Sequence, residues 1–238
     1  MKFSDIKALL FDYGGTLDTN GRHWANVLFE GFCHAQVPVT EEQFREAYVF
    51  AERGLAKTPI ILPNDDFLTL LRKKTDIETQ QLVRLKYWQT TETKRKELNE
   101  KIAVYCDDIV RKNLQITRPV LQNLKEKYKL VLVTNFYGNI SAVLRAYELD
   151  FFDAIVESAV VGVRKPDPAI WQLGVVRAQC QPKQTIAIGD AFKKDILPAN
   201  QLGCNTIWLK GETWQPENND ESIPNAIINS FKDIEKYL

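Results

Sequence analysis

Four short apolar runs punctuate the chain, and each ends on a polar or glycine-containing loop. Ala8-Leu9-Leu10-Phe11 precedes Asp12, and Leu130-Val131-Leu132-Val133 precedes Thr134-Asn135. Ile186-Ala187-Ile188 precedes Gly189-Asp190, and Thr206-Ile207-Trp208-Leu209 precedes Lys210-Gly211. Apolar residues on consecutive positions predict strands covered on both faces. Helical stripes separate the later runs. Pro119, Val120, Leu121, Leu124 and Tyr128 form one, with Pro119 suited to a first turn. Ile140, Val143, Leu144 and Tyr147 form a second, and Pro168, Ile170, Trp171, Val175 and Val176 a third. Strands alternating with helices of this length predict an α/β fold, a parallel sheet flanked by helices. Ligands of such sheets bind at the carboxyl ends of the strands. The polar loops fall at those ends and are expected to converge on one site.

Residues 19–114 break the rhythm and read as helical. Thr40 and Gln43 are placed for a capping box, with Phe44, Ala47, Tyr48, Ala51 and Leu55 following at helical spacing. Phe67, Leu70 and Leu71 suggest another helix. A long stretch from Glu78 to Arg111 carries Leu82, Leu85, Trp88, Leu98, Ile102, Tyr105 and Ile109 among many charges. The expectation is a core of residues 1–18 and 115–238, with a helical cap domain of residues 19–114 inserted after the first strand. The cap's apolar stripes are read as its own core, and substrate selectivity is expected from the cap.

Composition narrows the function classes. The 238 residues suit one large domain, or a core with an accessory domain. Lys+Arg and Asp+Glu balance at 31 each, so no global field draws nucleic acid or an anionic membrane. The basic run Lys94-Arg95-Lys96 is interleaved with glutamates and reads as a solvated helix face. Cys33, Cys106, Cys180 and Cys204 form no C-x-x-C pair, which argues against a zinc site or disulfide framework and for a reducing, cytoplasmic setting. The N-terminal apolar run is too short for a signal peptide, and no stretch reaches the length of a membrane span. Any substrate must therefore be captured by a local site. Nothing in the sequence distinguishes a monomer from a homodimer.

Four loops carry the candidate chemistry. Asp12 follows its strand directly and leads into Tyr13-Gly14-Gly15-Thr16, where two glycines permit a sharp turn and close approach of a ligand. A carboxylate there is placed as a nucleophile, although an ordinary turn aspartate also fits. Thr134 and Asn135 offer a hydroxyl and an amide to an oxyanion, or form a plain strand exit. Lys165 lies in Gly162-Val163-Arg164-Lys165-Pro166-Asp167-Pro168, where two prolines fix a point cation before a helix; a surface lysine is the alternative. Asp190 and Asp195, five apart, straddle a loop-to-helix junction. If Asp12, Asp190 and Asp195 crowd together, two such charges ~4 Å apart repel by about 4 kcal/mol at an effective dielectric near 20. A hard divalent cation such as Mg²⁺ relieves that repulsion.

In this order and spacing the four loops resemble the haloacid dehalogenase superfamily, whose motifs run Asp-loop, strand then Ser/Thr, Lys, and a paired-Asp loop. The segments LKEKYKLVLVTN, DFFDAIVESAVVGVRKPDPAIW and TIAIGDAFKKDILPANQLG carry the resemblance through the second half. It implies a Rossmann-like sheet, with residues 19–114 placed as the family's helical cap. It also implies that Asp12 is the nucleophile and that Thr134, Asn135 and Lys165 bind the transferring group. Mg²⁺ would be held by Asp12, the backbone carbonyl of Gly14, and Asp190. Asp195 would support the metal or orient Lys165. The expected function is Mg²⁺-dependent hydrolysis of a small phosphorylated metabolite through an aspartyl-phosphate intermediate.

One position departs from the pattern. Phosphatases of this superfamily usually carry a second aspartate, a general acid and base, two residues after the nucleophile; here that residue is Gly14. Acid–base assistance typically contributes about 10²–10⁴-fold. A phosphatase without it suits good leaving groups such as acyl or aryl phosphates, or recruits Asp18, His23 or His34. A 2-haloacid dehalogenase needs no acid, but that branch is metal-independent, and Gly189-Asp190 with Asp195 argues against it. Carbon–phosphorus cleavage through a cap lysine would turn to Lys57. A catalytically weak binding protein is the remaining class. Trp24 is a candidate for the pocket or for the cap core.

Overall fold

Register explains the architecture. β1 (Ala8–Phe11) is buried along its whole length and pairs in parallel with β2 (Lys129–Thr134) on one side and β4 (Thr185–Gly189) on the other. Phe11 stands opposite both Leu132 and Ile188, so Asp12, Thr134 and Asp190 leave adjacent strands within one residue of the same level. β3 (Ala154–Glu157) flanks β2, β5 (Asn205–Leu209) flanks β4, and β6 (Ala226–Ile228) closes the far edge. The six strands are all parallel in the order β3-β2-β1-β4-β5-β6. The computed structural model describes residues 3–58, 60–214 and 218–238, with the side chains of Ala56 and Lys57 outside that description.

The helices are α1 (Trp24–His34), α2 (Glu41–Lys57), α3 (Phe67–Arg84), α4 (Glu92–Lys125), α5 (Ile140–Ala146), α6 (Ser158–Val161), α7 (Pro168–Ala178) and α8 (Leu197–Gln201). α7 lies tight on the sheet: a Cβ on Gly174 would come within 2.7 Å of Leu10 and Val133. Ile170, Trp171 and Val175 pack there with Ala8, Leu10 and Val131. On β5, Trp208 packs with Phe192 and Ile196.

Two compact units result. One comprises residues 1–23, 111–138 and 149–238 and holds the sheet; the other comprises residues 24–110 and 139–148 and is helical. Inside the helical unit α2 starts on the anticipated capping box, Thr40 accepting from the Gln43 N–H while the Gln43 side chain accepts from the Thr40 N–H. Phe32 and Phe44 form an aromatic centre with ring centroids 5.0 Å apart. α5 groups with this unit, where Asn139 donates to the Asp65 carbonyl and Tyr147 donates to Asp107 at 2.5 Å.

Several local expectations change. Pro119 does not start a helix but lies inside the 34-residue α4. Asn113 and Thr117, six and two residues earlier on α4, both donate to the Leu17 carbonyl, anchoring the helix through the proline. Tertiary bonds there outweigh the lost backbone N–H. The stretch from Glu78 to Arg111 is divided between α3 and α4, because Leu85 caps α3 and Lys86 takes a positive φ of 62°. β3 and β6, of 4 and 3 residues at the sheet edges, were not among the predicted runs. Val176, counted in an apolar stripe, points outward and is 59% exposed.

Candidate active site

The Asp12 loop is built by hydrogen bonds to its own backbone. The Asp12 N–H donates to the Ile188 carbonyl, continuing the β1–β4 ladder by one residue. The chain then turns, with the Tyr13 carbonyl accepting from Leu17 at 2.8 Å and Asp18 accepting from the Gly15 N–H at 2.7 Å. Of the two glycines, Gly15 carries the conformational demand, at φ 95°. A Cβ there would also lie 2.4 Å from a carboxylate oxygen of Asp190. Gly14 is half-buried and is absent from the positive-φ residues, so glycine is not required there by backbone conformation.

Lys165 is the hub of the cluster. Its ammonium donates to Asp12 Oδ1 at 2.5 Å and to Asp195 Oδ1 at 2.7 Å, and the side chain is 3% exposed. Its main chain is clamped by Asn135: the Lys165 N–H donates to Asn135 Oδ1 at 2.9 Å, and Asn135 Nδ2 donates to the Lys165 carbonyl at 3.1 Å. Asn135, expected to face substrate, is thus engaged in positioning Lys165, since both ends of its amide serve that loop. The peptide between Lys165 and Pro166 is cis.

The paired aspartates come from one turn of chain. Residues Phe192–Ile196 form a π-helical turn, in which the Asp195 N–H donates to the Ala191 carbonyl and Asp195 Oδ2 accepts from the Ala191 N–H. Asp195 is therefore drawn back over β4, and a Cβ on Gly189 would fall 2.4 Å from it. π turns of this kind concentrate at functional sites. Two indoles clamp the loop's ends: Trp208 Nε1 donates to the Asp190 carbonyl at 2.8 Å, and Trp171 Nε1 donates to the Lys194 carbonyl at 3.0 Å. The Thr16 hydroxyl bridges Asp12 Oδ2 at 3.1 Å and Asp190 Oδ1 at 2.9 Å, and also meets the Asp190 N–H at 3.1 Å.

Asp12, Asp190 and Asp195 each offer an oxygen within 4.8 Å of the others. Three carboxylates face one ammonium. Burial is the main cause that raises the Asp12 carboxyl to about 6; Lys165 opposes it and Asp195 adds to it. Burial, followed by the charges of Asp12 and Asp195, pushes Asp190 well above the usual carboxylate range. Burial works against the Lys165 charge, but Asp12 and Asp195 outweigh it and hold the ammonium above its ordinary value. The cluster is short of positive charge and offers hard oxygen donors, which fits a divalent cation. Asp195 is held through both oxygens, by Lys165 and the Ala191 N–H, and Asp12 likewise by Lys165 and Thr16, whereas Thr16 meets Asp190 at Oδ1.

Thr134 ends β2, is 1% exposed, and lies on the strand beside β1. Asp12, Thr134, Lys165, Asp190 and Asp195 therefore all belong to the sheet unit and its strand ends. The other candidates are occupied elsewhere. Asp18 holds the turn, the His23 ring packs edge-on against Trp214, and the His34 ring stacks on Tyr105. Trp24 packs against Phe67 in the helical unit. The Lys57 side chain lies outside the described residues. Thr16, Trp171 and Trp208 were not singled out from the sequence. Thr16 was legible as the hydroxyl closing the glycine turn, whereas the two tryptophans read only as core.

The family model described as haloacid dehalogenase-like hydrolase matches residues 6–203. The chain belongs to this family. Among relatives of this haloacid dehalogenase-like hydrolase, a glyceraldehyde 3-phosphate phosphatase of Methanothermobacter thermautotrophicus is 31% identical over 104 residues, 42% of this chain and 46% of that protein. Haloacid dehalogenase-like hydrolase domain-containing protein 3 of Bos taurus is 29% identical over 104 residues, 43% of this chain and 40% of that protein. The matches thus span about half the length of these curated relatives, or less. Among solved structures, the magnesium-bound HAD-hydrolase YfnB of Bacillus subtilis has a TM-score of 0.60 at 19% identity, covering 99% of this chain and 98% of that one. That likeness supports the fold of the haloacid dehalogenase-like hydrolase.

Proposed function

We propose that this haloacid dehalogenase-like hydrolase is a Mg²⁺-dependent phosphatase of a small phosphorylated metabolite, acting through Asp12. The observation that carries the reading is the buried cluster in which Asp12, Asp190 and Asp195 crowd around one Lys165. The curated relatives named as phosphatases support the same reaction class. Asp12 and Asp190, with the Gly14 carbonyl, would hold Mg²⁺. When bound, the cation would supply charge neutralisation for the carboxylates and phosphate oxygens. An Asp12 oxygen attacks phosphorus, the bond to the leaving oxygen breaks, and an aspartyl phosphate forms. Water then attacks that phosphorus, releasing phosphate and regenerating the carboxylate. Lys165 offsets charge on Asp12 and on the transferring group, Asp195 keeps Lys165 in place, and Thr134 donates to a phosphate oxygen. Asn135 and Thr16 act through others, by fixing the Lys165 main chain and the spacing of Asp12 and Asp190.

The deciding experiment is a panel assay with and without chelator. Phosphate release from aryl, acyl, sugar and nucleotide phosphates should require Mg²⁺. Asp12→Asn should reduce it by more than about 10²-fold, because the nucleophile is lost. Chelator-insensitive halide release from 2-haloacids would replace this reading with dehalogenation. Inactivity throughout would replace it with a binding role.

A further inference from the structure

We propose that Trp171 is a positioning residue that fixes the Lys165 ammonium between Asp12 and Asp195; the kinetic part of this inference rests on the function proposed above. The Lys165 Nζ lies 4.6 Å from the centre of the Trp171 ring. Trp171 is fully buried on α7, so the ring has no solvent to compete with for the cation. The same indole donates its N–H to the Lys194 carbonyl at 3.0 Å, immediately before Asp195 in the chain. One rigid side chain therefore touches both halves of the Lys165–Asp195 pair, the cation through its face and the aspartate's main chain through its edge. A flexible lysine stem has several rotamers. Two carboxylates fix the direction of its ammonium. The indole face fills the side of the ammonium that would otherwise be bare, and a desolvated cation over tryptophan is the strongest form of this contact.

The ring itself cannot shift without disturbing the sheet. Trp171 belongs to the cluster that includes Leu10, Val131 and Ile170, so its place is set by the core and not by the site. Position is thereby transmitted from the packed interior to the reacting carboxylate, through Lys165. Trp171 makes no contact with Asp12 in this scheme, so it should influence the chemical step and not the capture of substrate.

Two variants separate the contributions. Trp171→Phe keeps an aromatic face and loses the N–H, whereas Trp171→Leu loses both. With Mg²⁺ and an aryl phosphate, Trp171→Leu should lower kcat by about 10-fold with KM within about 2-fold of the parent. Trp171→Phe should recover most of that loss. A wild-type kcat in Trp171→Leu, or equal damage in the two variants, would overturn the proposal. Because truncation in a packed core can prevent folding, a measurement on the unaltered protein stands beside the kinetics. In a sample labelled with ¹³C at the lysine ε position, the Lys165 signal, assigned by its disappearance in Lys165→Met, should be shifted upfield of the other lysines by the indole ring current. A Lys165 signal among the ordinary lysines would refute the contact. If the unaltered protein releases no phosphate yet shows the upfield signal, the pairing stands and the phosphatase reading falls.

Discussion

In the phosphatase reading proposed above, Gly14 bears on how the site would handle a leaving group. Gly15 is fixed by its φ of 95° and by the Asp190 carboxylate behind it, whereas Gly14 is absent from the positive-φ residues. The backbone φ at position 14 therefore does not itself demand glycine, and in the phosphatase reading an aspartate there would supply a proton donor. Gly14→Asp should raise kcat on alkyl phosphates, whose leaving groups need protonation, by about 10-fold or more, within the range of acid–base assistance. Aryl phosphates should gain much less. The ratio of the two rates, measured in a folded and Mg²⁺-binding variant, tests this account; equal gain on both classes would count against it. At this scale the sequence was informative about acids and bases and silent about their holders. Asp12 and Asp190 stood out as charges at strand ends, and Lys165 as a cation in a proline-flanked loop before a helix. Asn135 was expected to face substrate, and the two hydrogen bonds to Lys165 give it a positioning role instead.

α3 carries the clearest element-scale consequence. Glu78 on this helix is fully buried, and neither carboxyl oxygen has a hydrogen-bond partner among the described residues. Burial raises its carboxyl from 4.5 to about 8, opposed by Lys74 one turn away and reinforced by Glu52 of α2. Lys74 is itself paired with Glu52. Through neutral pH the folded protein thus keeps a proton that the unfolded chain releases above about 4.5. Stability falls as pH rises from about 4.5 to about 8, by up to about 1.4 kcal/mol per pH unit, and levels off beyond. Glu78→Gln removes that proton uptake. Its urea midpoint should exceed the parent's at pH 7, and the gap should shrink towards pH 4.5. A gap that widens on acidification would reverse the sign and refute the assignment. The amphipathic pattern of the helical segment was readable, but the burial of Glu78 depends on packing remote in the chain.

The sheet unit extends past the residues matched by the family model, which ends at 203. β5, β6 and the turn after them complete the core under the site. Phe231 is 1% exposed, its ring centre lies 5.9 Å from that of Phe11, and its N–H donates to the Asn20 side chain. Phe11 is the residue that holds Asp12 at the strand end, so the C-terminal turn supports the first loop from below. Phe231→Ala should cost about 3–5 kcal/mol of stability, the usual range for emptying a phenylalanine site in a core. Its denaturant midpoint against the parent measures this, and a loss below 1 kcal/mol would show that the turn is dispensable. No helix among the described residues is long and apolar enough to cross a membrane.

By itself the sequence determined the class of fold, the parallel sheet and the set of chemical groups, because buried strands need consecutive apolar residues and reactive groups must follow them at the carboxyl ends. Four of the six strands and the loops carrying Asp12, Thr134 and Asp190 were legible for that reason, and the Lys165 loop through its flanking prolines. The tertiary structure decided what depends on neighbours remote in the chain. It set the short edge strands β3 and β6, whose partners and not their composition make them strands. It carried α4 through Pro119, because Leu17 supplies anchors that no local propensity contains. It also turned Trp171 and Trp208 from core residues into clamps on the acidic loop, since an indole N–H takes its role from the carbonyl that folding brings to it.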